Sequence, residues 1–538
     1  MKENHLMFSH PMQEKAYGEV AAALPFAIDP AKVTVEPGVS YLPSPIKLHD
    51  YAVGVMAAFG SAVEHLGRLR SLPSQTMTLN RRLCGFHLNE FQTQFLNGYS
   101  MMMDTWPMAA DNGTYRTKDG RYVQMIGLFP HMVNPLLAHL QCANTAQAIQ
   151  AAVEKHTAQQ LEDDVAAGLN LALGMVRTPQ EWLAHPQGVA TAKLPLVDIH
   201  PQGPTKQRVL GTAKYRPLEG VRVVDLTNVV AGPTAGVALA EQGADVIAVR
   251  APHGDWVTPV WLSVSWGKKT ILTDIKSPDG KKRFVDLLAS ADVLISSQRP
   301  DALDRLGLSD AELREINPNL VYGSESFASP GTPWAGRRGF EQIAQAVTGT
   351  MHVHSEGLGL EAPTVTSGLM NDHLTGYLLA IGVVAALAER EEKGGFWHVD
   401  ASLTRTSMLG NELVGSVDDE PYAPVTVQDL IEHGVDQDSP WGTFTRFTPP
   451  VAFSHAPSMT LRPPAWPGTH PDTIGWDANP VGNEAPEVPH YPSKLAREGR
   501  IRNLVPNFGI EDRGDGGGVV GLVSKPEAIE AQLKKWTA

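Results

Sequence analysis

Four short runs dominated by apolar residues, VRVVDL, ADVIAV, DVLISS and NLVYGSES, punctuate the stretch from Val221 to Ser326. Helical segments separate them: Pro233 to Gln242, opened by Gly232-Pro233; KSPDGKKRFVDLLASA; and SDAELREIN, where Ser309 and Glu312 have the spacing of a capping box. Strands that are apolar on both faces and alternate with helices point to a parallel sheet covered by helices on each side, joined by right-handed crossovers. The expected fold class is therefore α/β.

At 538 residues the chain exceeds one ordinary domain. Its 44 Lys+Arg against 58 Asp+Glu, a net charge of −14, argue against a nucleic-acid partner and leave room for a local basic pocket. Two cysteines, Cys84 and Cys142, make no disulfide framework, so a reducing, cytoplasmic setting is expected. The start, MKENHLMFSHP, is too polar for a signal-peptide core. The longest apolar run, Tyr377 to Ala388, is about 12 residues against the roughly 20 of a membrane helix, and no membrane partner is expected.

Composition divides the chain into an uninterpreted Pro-punctuated extension (1–46), a first unit (47–200), a second (215–415) and a closing stretch (416–538). The linker HPQGPTKQRVLGTAKYRP marks a boundary near 200–216. In the first unit an apolar helix begins at His49. GTYRT and RYVQMIG flank Asp119-Gly120, which favours a primed hairpin turn because both residues tolerate positive φ. Helical patterns follow from about Pro130 to Leu173, and TPQEWLAHPQG reads as a short helix stopped by Pro186. Beyond Leu413 the pattern weakens, and the last 60 residues read as irregular, with GDGGGVVG (514–521) a mobile tail.

HDYAVGVMAAFGSAVEHLGR aligns on NDHLTGYLLAIGVVAALAER, matching Asp50 with Asp372, Gly54 with Gly376, Gly60 with Gly382 and Arg68 with Arg390. Each copy leads into a strand-like run, QTMTLNRRL or GFWHVDASL, so duplication is the better reading than chance likeness of two Gly/Ala helices.

The first strand–helix turn, DLTNVVAGPTAG, lacks the spacing of a dinucleotide fingerprint, and the next strand ends in Arg250 rather than an acid, which suits a phosphate better than a ribose diol. Arg250, Lys268, Lys269, Lys276, Arg299, Arg305, Arg337 and Arg338 gather at strand and helix ends, either gripping a phosphorylated nucleotide or simply solvated. Asp372 either caps the apolar helix it opens or serves as a carboxylate nucleophile toward a thioester. His352 and His354, two apart on an expected extended segment, lack metal-site spacing, so no metal is expected. No G-x-S-x-G elbow is present.

The stretches RPLEGVRVVDLTNVVAGPTAGVALAEQGADVIAV, KKTILTDIKSPDGKKRFVDLLASADVLISSQRPDALDRLGL, INPNLVYGSES, GFEQIAQAVTG and the Asp372 helix resemble family III CoA-transferases, the family that also holds α-methylacyl-CoA racemases. The resemblance covers about 215–413. It implies a Rossmann-like CoA-binding domain plus a smaller α+β domain, with CoA or acyl-CoA as substrate rather than permanent cofactor and carboxylic acids as partners. It assigns Asp372 as the nucleophile that forms an anhydride and then an aspartyl-CoA thioester. Val230, Ala231, Arg250, Lys276, Ser297, Gln298 and Arg305 fall at CoA contacts, and Arg338, Phe340 and Glu341 at secondary positions.

Departures from the family pattern are a Val230 where transferases carry Gln, and Ser297-Gln298 in place of an Asn-aromatic pair. Phe340 stands where racemases carry His and cannot accept a proton, which counts against racemization. Residues 47 to about 190 resemble the part that follows the catalytic helix, and 446–476 resembles the family's end. The implied organisation is a tandem duplication whose first copy lost its CoA-binding half, leaving Asp50 vestigial. The small domain at 85–200 would close over the site within one chain or across a dimer, giving an intramolecular pseudo-dimer or a homodimer.

Overall fold

The apolar runs between Val221 and Ser326 form strands of one sheet. A computed structural model describes residues 7–101, 110–203, 209–477, 492–502 and 518–519. Its largest sheet contains β1 (Arg222–Leu226), β2 (Asp245–Arg250), β3 (Lys268–Leu272), β4 (Val293–Ser296), β5 (Val321–Ser326) and β6 (Trp397–Ser402). These six are parallel in the order β3-β2-β1-β4-β5-β6, and an antiparallel strand, Val197–Pro201, completes the edge beyond β6. In this order the chain reverses its direction of travel between β1 and β4. There the connections diverge and leave a crevice at the strands' carboxyl ends, where ligands bind in such folds.

Strand β3 is absent from the four-strand expectation because its sequence opens on Lys268 and Lys269. Both lysines are buried and neutralised: Lys268 Nζ lies 2.7 Å from Asp225, and Lys269 Nζ lies 2.9 Å from Asp245. The closing stretch covers this sheet edge. The N–H of Gly267 donates to Arg462 O and that of His470 to Thr270 O, both at 3.0 Å, so the edge is not left open for pairing with another chain.

At the centre, the helices Leu48–Leu69 and Met370–Lys393 pack on one another, with Phe59 edge-on to Tyr377 at 5.5 Å between ring centroids. Their aligned glycines do the same work on different partners. A Cβ on Gly54 would sit 2.5 Å from Ala16 Cβ on the helix Pro11–Ala21; one on Gly376 would sit 2.5 Å from the carbonyl of Ala231 on the helix Ala231–Glu241. Likewise Gly60 admits Met77 and Val451, and Gly382 admits Val399 and Val197. Met77 belongs to a small sheet, Val33–Glu36, Met77–Asn80 and Val451–Phe453, in which Met77–Asn80 has a parallel neighbour on one side and an antiparallel one on the other. Strand β6 is flanked in the same way by β5 and Val197–Pro201. The N-terminal 46 residues, unreadable in sequence, thus supply a helix and a strand to the Asp50 helix.

Several local expectations are corrected. The Asp119-Gly120 turn, between the strands Asn112–Arg116 and Tyr122–Ile126, has positive φ only at Gly120 (75°). The Thr117 N–H donates to Arg121 O at 2.8 Å around a three-residue loop, which is a common turn followed by a left-handed glycine rather than a primed turn. His352 and His354 lie on a helix, Thr350–Gly357, not on an extended segment. Pro186 ends one helix, Pro179–Ala184, and opens the next, Pro186–Thr191. Beyond Leu413, a helix, Val427–His433, leads into the strands Gly434–Ser439 and Gly442–Phe447, which extend a sheet with Phe95–Leu96 and Tyr99–Ser100. The Gly-rich segment 514–521 lies outside the described residues except for Gly518-Val519, paired with Gly113-Thr114.

The apolar run at Tyr377 understates its helix. Met370–Lys393 is 24 residues and, among the described residues, the one helix long and apolar enough to cross a membrane, yet that apolar stretch is buried throughout by protein.

Candidate active site

The crevice is built by four strand ends. After β1 the chain turns through Thr227-Asn228-Val229-Val230, and the N–H of Asn228 donates to Ser297 Oγ at 2.8 Å, tying this turn to the residue just past β4. Val229 sits at φ 65°, a left-handed conformation costly for a β-branched residue, so packing holds this turn in a strained shape. Between these ends lies a cavity of about 620 Å³. The main sheet's half supplies Val230, Arg250, Lys276, Gln298, Arg299 and Arg305 to its wall; Asn112, Ile126, Leu128, Phe129 and His131 close it from the first half of the same chain.

Arg250 is the best-defined cation of the wall. Its Nη1 donates to the carbonyls of Val249 (2.9 Å) and Asp225 (3.1 Å), and its guanidinium lies 4.7 Å from the centre of the Trp261 ring. Nε and Nη2 are buried without a hydrogen-bond partner among the described residues, although Nη2 stands 3.6 Å from Asp225. Unspent, pre-oriented donors in a cavity wall are what a phosphate oxygen requires.

Asp372 faces the same cavity. It is the third residue of the helix Met370–Lys393 and is 7% exposed. It is not a side-chain cap: the N-cap residue is Leu369, and the Asp372 N–H donates instead to Glu341 Oε2 at 2.7 Å. Glu341 opens the helix Glu341–Thr348, and its other oxygen accepts from Gln345 Nε2 at 2.6 Å. No described residue hydrogen-bonds the Asp372 carboxyl itself. Burial pushes that carboxyl up to about 7. Glu341 is raised well above the usual range by burial and by the Asp372 charge, and Glu325, on β5, is pushed up to about 8 for the same two reasons. Three acids sharing one buried corner cannot all ionise at neutral pH, and a carboxyl that titrates near 7 in a cleft is suited to nucleophilic or proton-transfer work.

A family model described as CoA-transferase family III matches residues 218–420, the segment that carries β1 to β6 and Asp372. This segment of the chain is similar to CoA-transferase family III. Among relatives of the family, an acetyl-coenzyme A transferase of Hypoxylon pulicicidum is 27% identical over 57% of this chain and 55% of its own length. The β subunit of a succinyl-CoA–L-malate CoA-transferase of Chloroflexus aurantiacus is 34% identical over 36% and 50%, respectively. A solved CAIB/BAIF family protein from Brucella suis aligns at 26% identity over 43% of this chain and 65% of that one, with a TM-score of 0.34. The chain spans about half the length of the curated relatives it matches.

Of the residues that the family III resemblance singles out, Val230, Arg250, Lys276, Gln298, Arg305, Phe340 and Asp372 line the cavity. Ala231 is buried in the first turn of its helix, Ser297 braces Asn228, and Glu341 holds the Asp372 backbone, all one layer behind the wall. Arg338 lies outside the lining; its N–H donates to Asn170 Oδ1 at 3.1 Å. The other gathered cations separate: Arg299 reaches the cavity, whereas Lys268 and Lys269 are spent on Asp225 and Asp245, and Arg337 pairs with Glu162 at 3.1 Å.

Sequence reasoning missed Glu325 and the aromatic wall of Phe91, Phe129 and Trp261. The alternation in VYGSES, which points Glu325 to the opposite face from its neighbours, was the available signal for the former. Asp50, aligned with Asp372, is in a different state. Arg81 grips it with two of its three nitrogens, Nε and Nη2 (2.7 and 2.8 Å), Gln13 Nε2 adds a third contact at 2.7 Å, and the side chain is fully buried.

Proposed function

We propose that this chain exchanges CoA between an acyl-CoA and a carboxylic acid, with Asp372 as nucleophile. The observation that carries the reading is one cavity shared by an unbonded carboxyl and a set of cations: Asp372 on one wall, with Arg250, Lys276, Arg299 and Arg305 on others. The Asp372 carboxylate attacks the thioester carbonyl, the C–S bond breaks, and CoA leaves as thiolate, which gives an acyl-aspartyl anhydride. The thiolate then attacks the aspartyl carbonyl, releasing the donor acid and leaving an aspartyl-CoA thioester. An acceptor carboxylate reverses these steps and departs as the new acyl-CoA.

In this reading Arg250, Lys276 and Arg305 bind phosphates. Val230, Ala231, Ser297 and Gln298 shape the crevice floor for the rest of CoA, and Phe340 and Glu341 flank the nucleophile, whereas Arg338, outside the lining, takes no direct part. CoA enters and leaves as substrate. The activities that the relatives are named for, acetyl-coenzyme A transfer and CoA transfer from succinyl-CoA to L-malate, support transfer as the reaction class. Phe340 lines the cavity and can accept no proton, which disfavours a racemase. We read the Asp50 half as the first copy of a tandem duplication, without a CoA-binding half, its acid retired into an ion pair and its small domain closing the site in cis.

Incubation with a panel of acyl-CoAs followed by intact-mass analysis tests this. A hydroxylamine-sensitive adduct that is lost in Asp372→Ala supports transfer. Exchange of an α-hydrogen with deuterated water and no adduct points to racemization, and CoA binding with neither leaves a non-catalytic relative.

A further inference from the structure

The antiparallel pairing of β6 with the edge strand Val197–Pro201 places four ligand-type residues on one patch. His398 stands opposite His200 and Asp400 opposite Asp198. Residues two apart on a strand share a face, so the two pairs form a square. Directly opposed carboxylates destabilise a strand pair unless a cation lies between them. One ring nitrogen from His200, one from His398 and a carboxylate oxygen of Asp400 lie within 4.8 Å of one another.

The surroundings of this square are already organised. His398 Nδ1 lies 2.8 Å from Asp310 Oδ2, and since an ionised carboxylate can only accept, Nδ1 carries the proton. In the neutral ring that leaves the lone pair on Nε2. That atom is buried without a hydrogen-bond partner among the described residues, 3.5 Å from Asp400 Oδ1. Asp400 Oδ1 is in turn held by Ser324 Oγ at 2.7 Å. A histidine fixed through one nitrogen by a carboxylate, with its other nitrogen bare, is the arrangement that supports a metal–imidazole bond.

We propose that His398, His200 and Asp400, with Asp198 at the rim, bind one divalent cation of the zinc class. Two imidazole nitrogens with carboxylate oxygens suit a tetrahedral borderline ion better than magnesium or calcium, which prefer all-oxygen shells. Ligand atoms up to 4.8 Å apart lie up to roughly 2.8 Å from a common centre, so bond lengths of about 2.0–2.2 Å require them to draw in by as much as about 0.7 Å, which the part-exposed His200 side chain permits. None of these residues lines the active-site cavity, so the ion would act on the fold by clamping the edge strand to β6. Sequence spacing hides the site because its two halves lie about two hundred residues apart.

The test is calorimetric titration of the EDTA-stripped full chain with Zn²⁺, with Co²⁺ absorption as a coordination readout. The expected result is one equivalent bound and a tetrahedral cobalt spectrum. His200→Ala and Asp400→Asn each weaken binding by at least about tenfold, and Asp310→Asn by about 10–100-fold through loss of ring orientation. His200 is part-exposed, so His200→Ala retains the fold, as circular dichroism would verify, even if Asp400→Asn does not. His352→Ala, on a part-exposed helix position away from the square, leaves the affinity unchanged. Absence of saturable zinc binding, parent-like affinity in His200→Ala, or an equal loss in His352→Ala would overturn the proposal.

Discussion

The backbone N–H of Asp372 donates to the Glu341 carboxyl at 2.7 Å, so one acid fixes the helical turn that carries the other. Asp372 therefore needs no cap of its own, and its oxygens stay turned to the cavity. The arrangement carries a cost: both groups resist ionisation because they share a buried corner.

Asp372→Asn keeps the shape and removes the charge. Adduct formation and exchange should fall by about a thousandfold or more, as expected when a covalent nucleophile is lost. The melting temperature should hold or rise, with a gain on the order of 1–3 kcal/mol at neutral pH, because the repulsion is relieved where function had demanded it. Scanning fluorimetry alongside intact mass checks both; a melting temperature several degrees lower would contradict this view of the corner.

The carboxylate is the reactive form, so kcat/KM for acyl-CoA should rise with pH through about 7, where burial sets the Asp372 titration. The stability sign is opposite. A carboxyl raised on folding makes the fold lose stability as pH climbs from its unfolded value toward its folded one. The stability gap between Asp372→Asn and the parent should therefore open from about pH 4, level off above about 7, and vanish in acid. Paired denaturation curves across that range test it.

Asp50 should behave in reverse. Against the upward push of burial, the Arg81 guanidinium and Gln13 hold its carboxyl below the usual range. Its contribution to stability is present above the unfolded carboxylate pKa and is lost as pH falls through the lower folded value. Arg81→Ala strands a buried charge and should cost about 3–5 kcal/mol in urea titration, and Asp50→Asn should leave adduct formation at Asp372 intact.

Lys276 and Arg305 are exposed where they line the cavity, so water and salt weaken the phosphate contacts proposed for them. Lys276→Ala and Arg305→Ala should each raise the KM for acyl-CoA by roughly 3–10-fold with little change in kcat, and the difference should shrink at high salt. Steady-state kinetics at two ionic strengths would show it; a loss confined to kcat would place these residues elsewhere in the reaction.

The parallel sheet was legible because its strands are apolar on both faces, and Asp372 because it opens a helix of uncommon apolarity. Strand β3 was not, because Lys268 and Lys269 mimic a solvated run until their partners, Asp225 and Asp245, come from strands beside it. The same long-range pairing sorted Arg250 from Lys268, two cations that look alike in sequence. The N-terminal helix was opaque because its reason for forming lies in Gly54 and the close approach that glycine allows. The hairpin loop differs by one turn type from the primed turn that Asp-Gly favours, since that preference does not say which of the two residues turns left-handed.

The strand Val197–Pro201 lies in the second half's sheet, and Val451–Phe453 lies in the first half's. Each half has lent the other a strand, as two clasped hands exchange fingers. A protease nick in the connector 209–216 should therefore yield two fragments that migrate together under native conditions and melt in one step, and neither piece expressed alone should reach its folded shape.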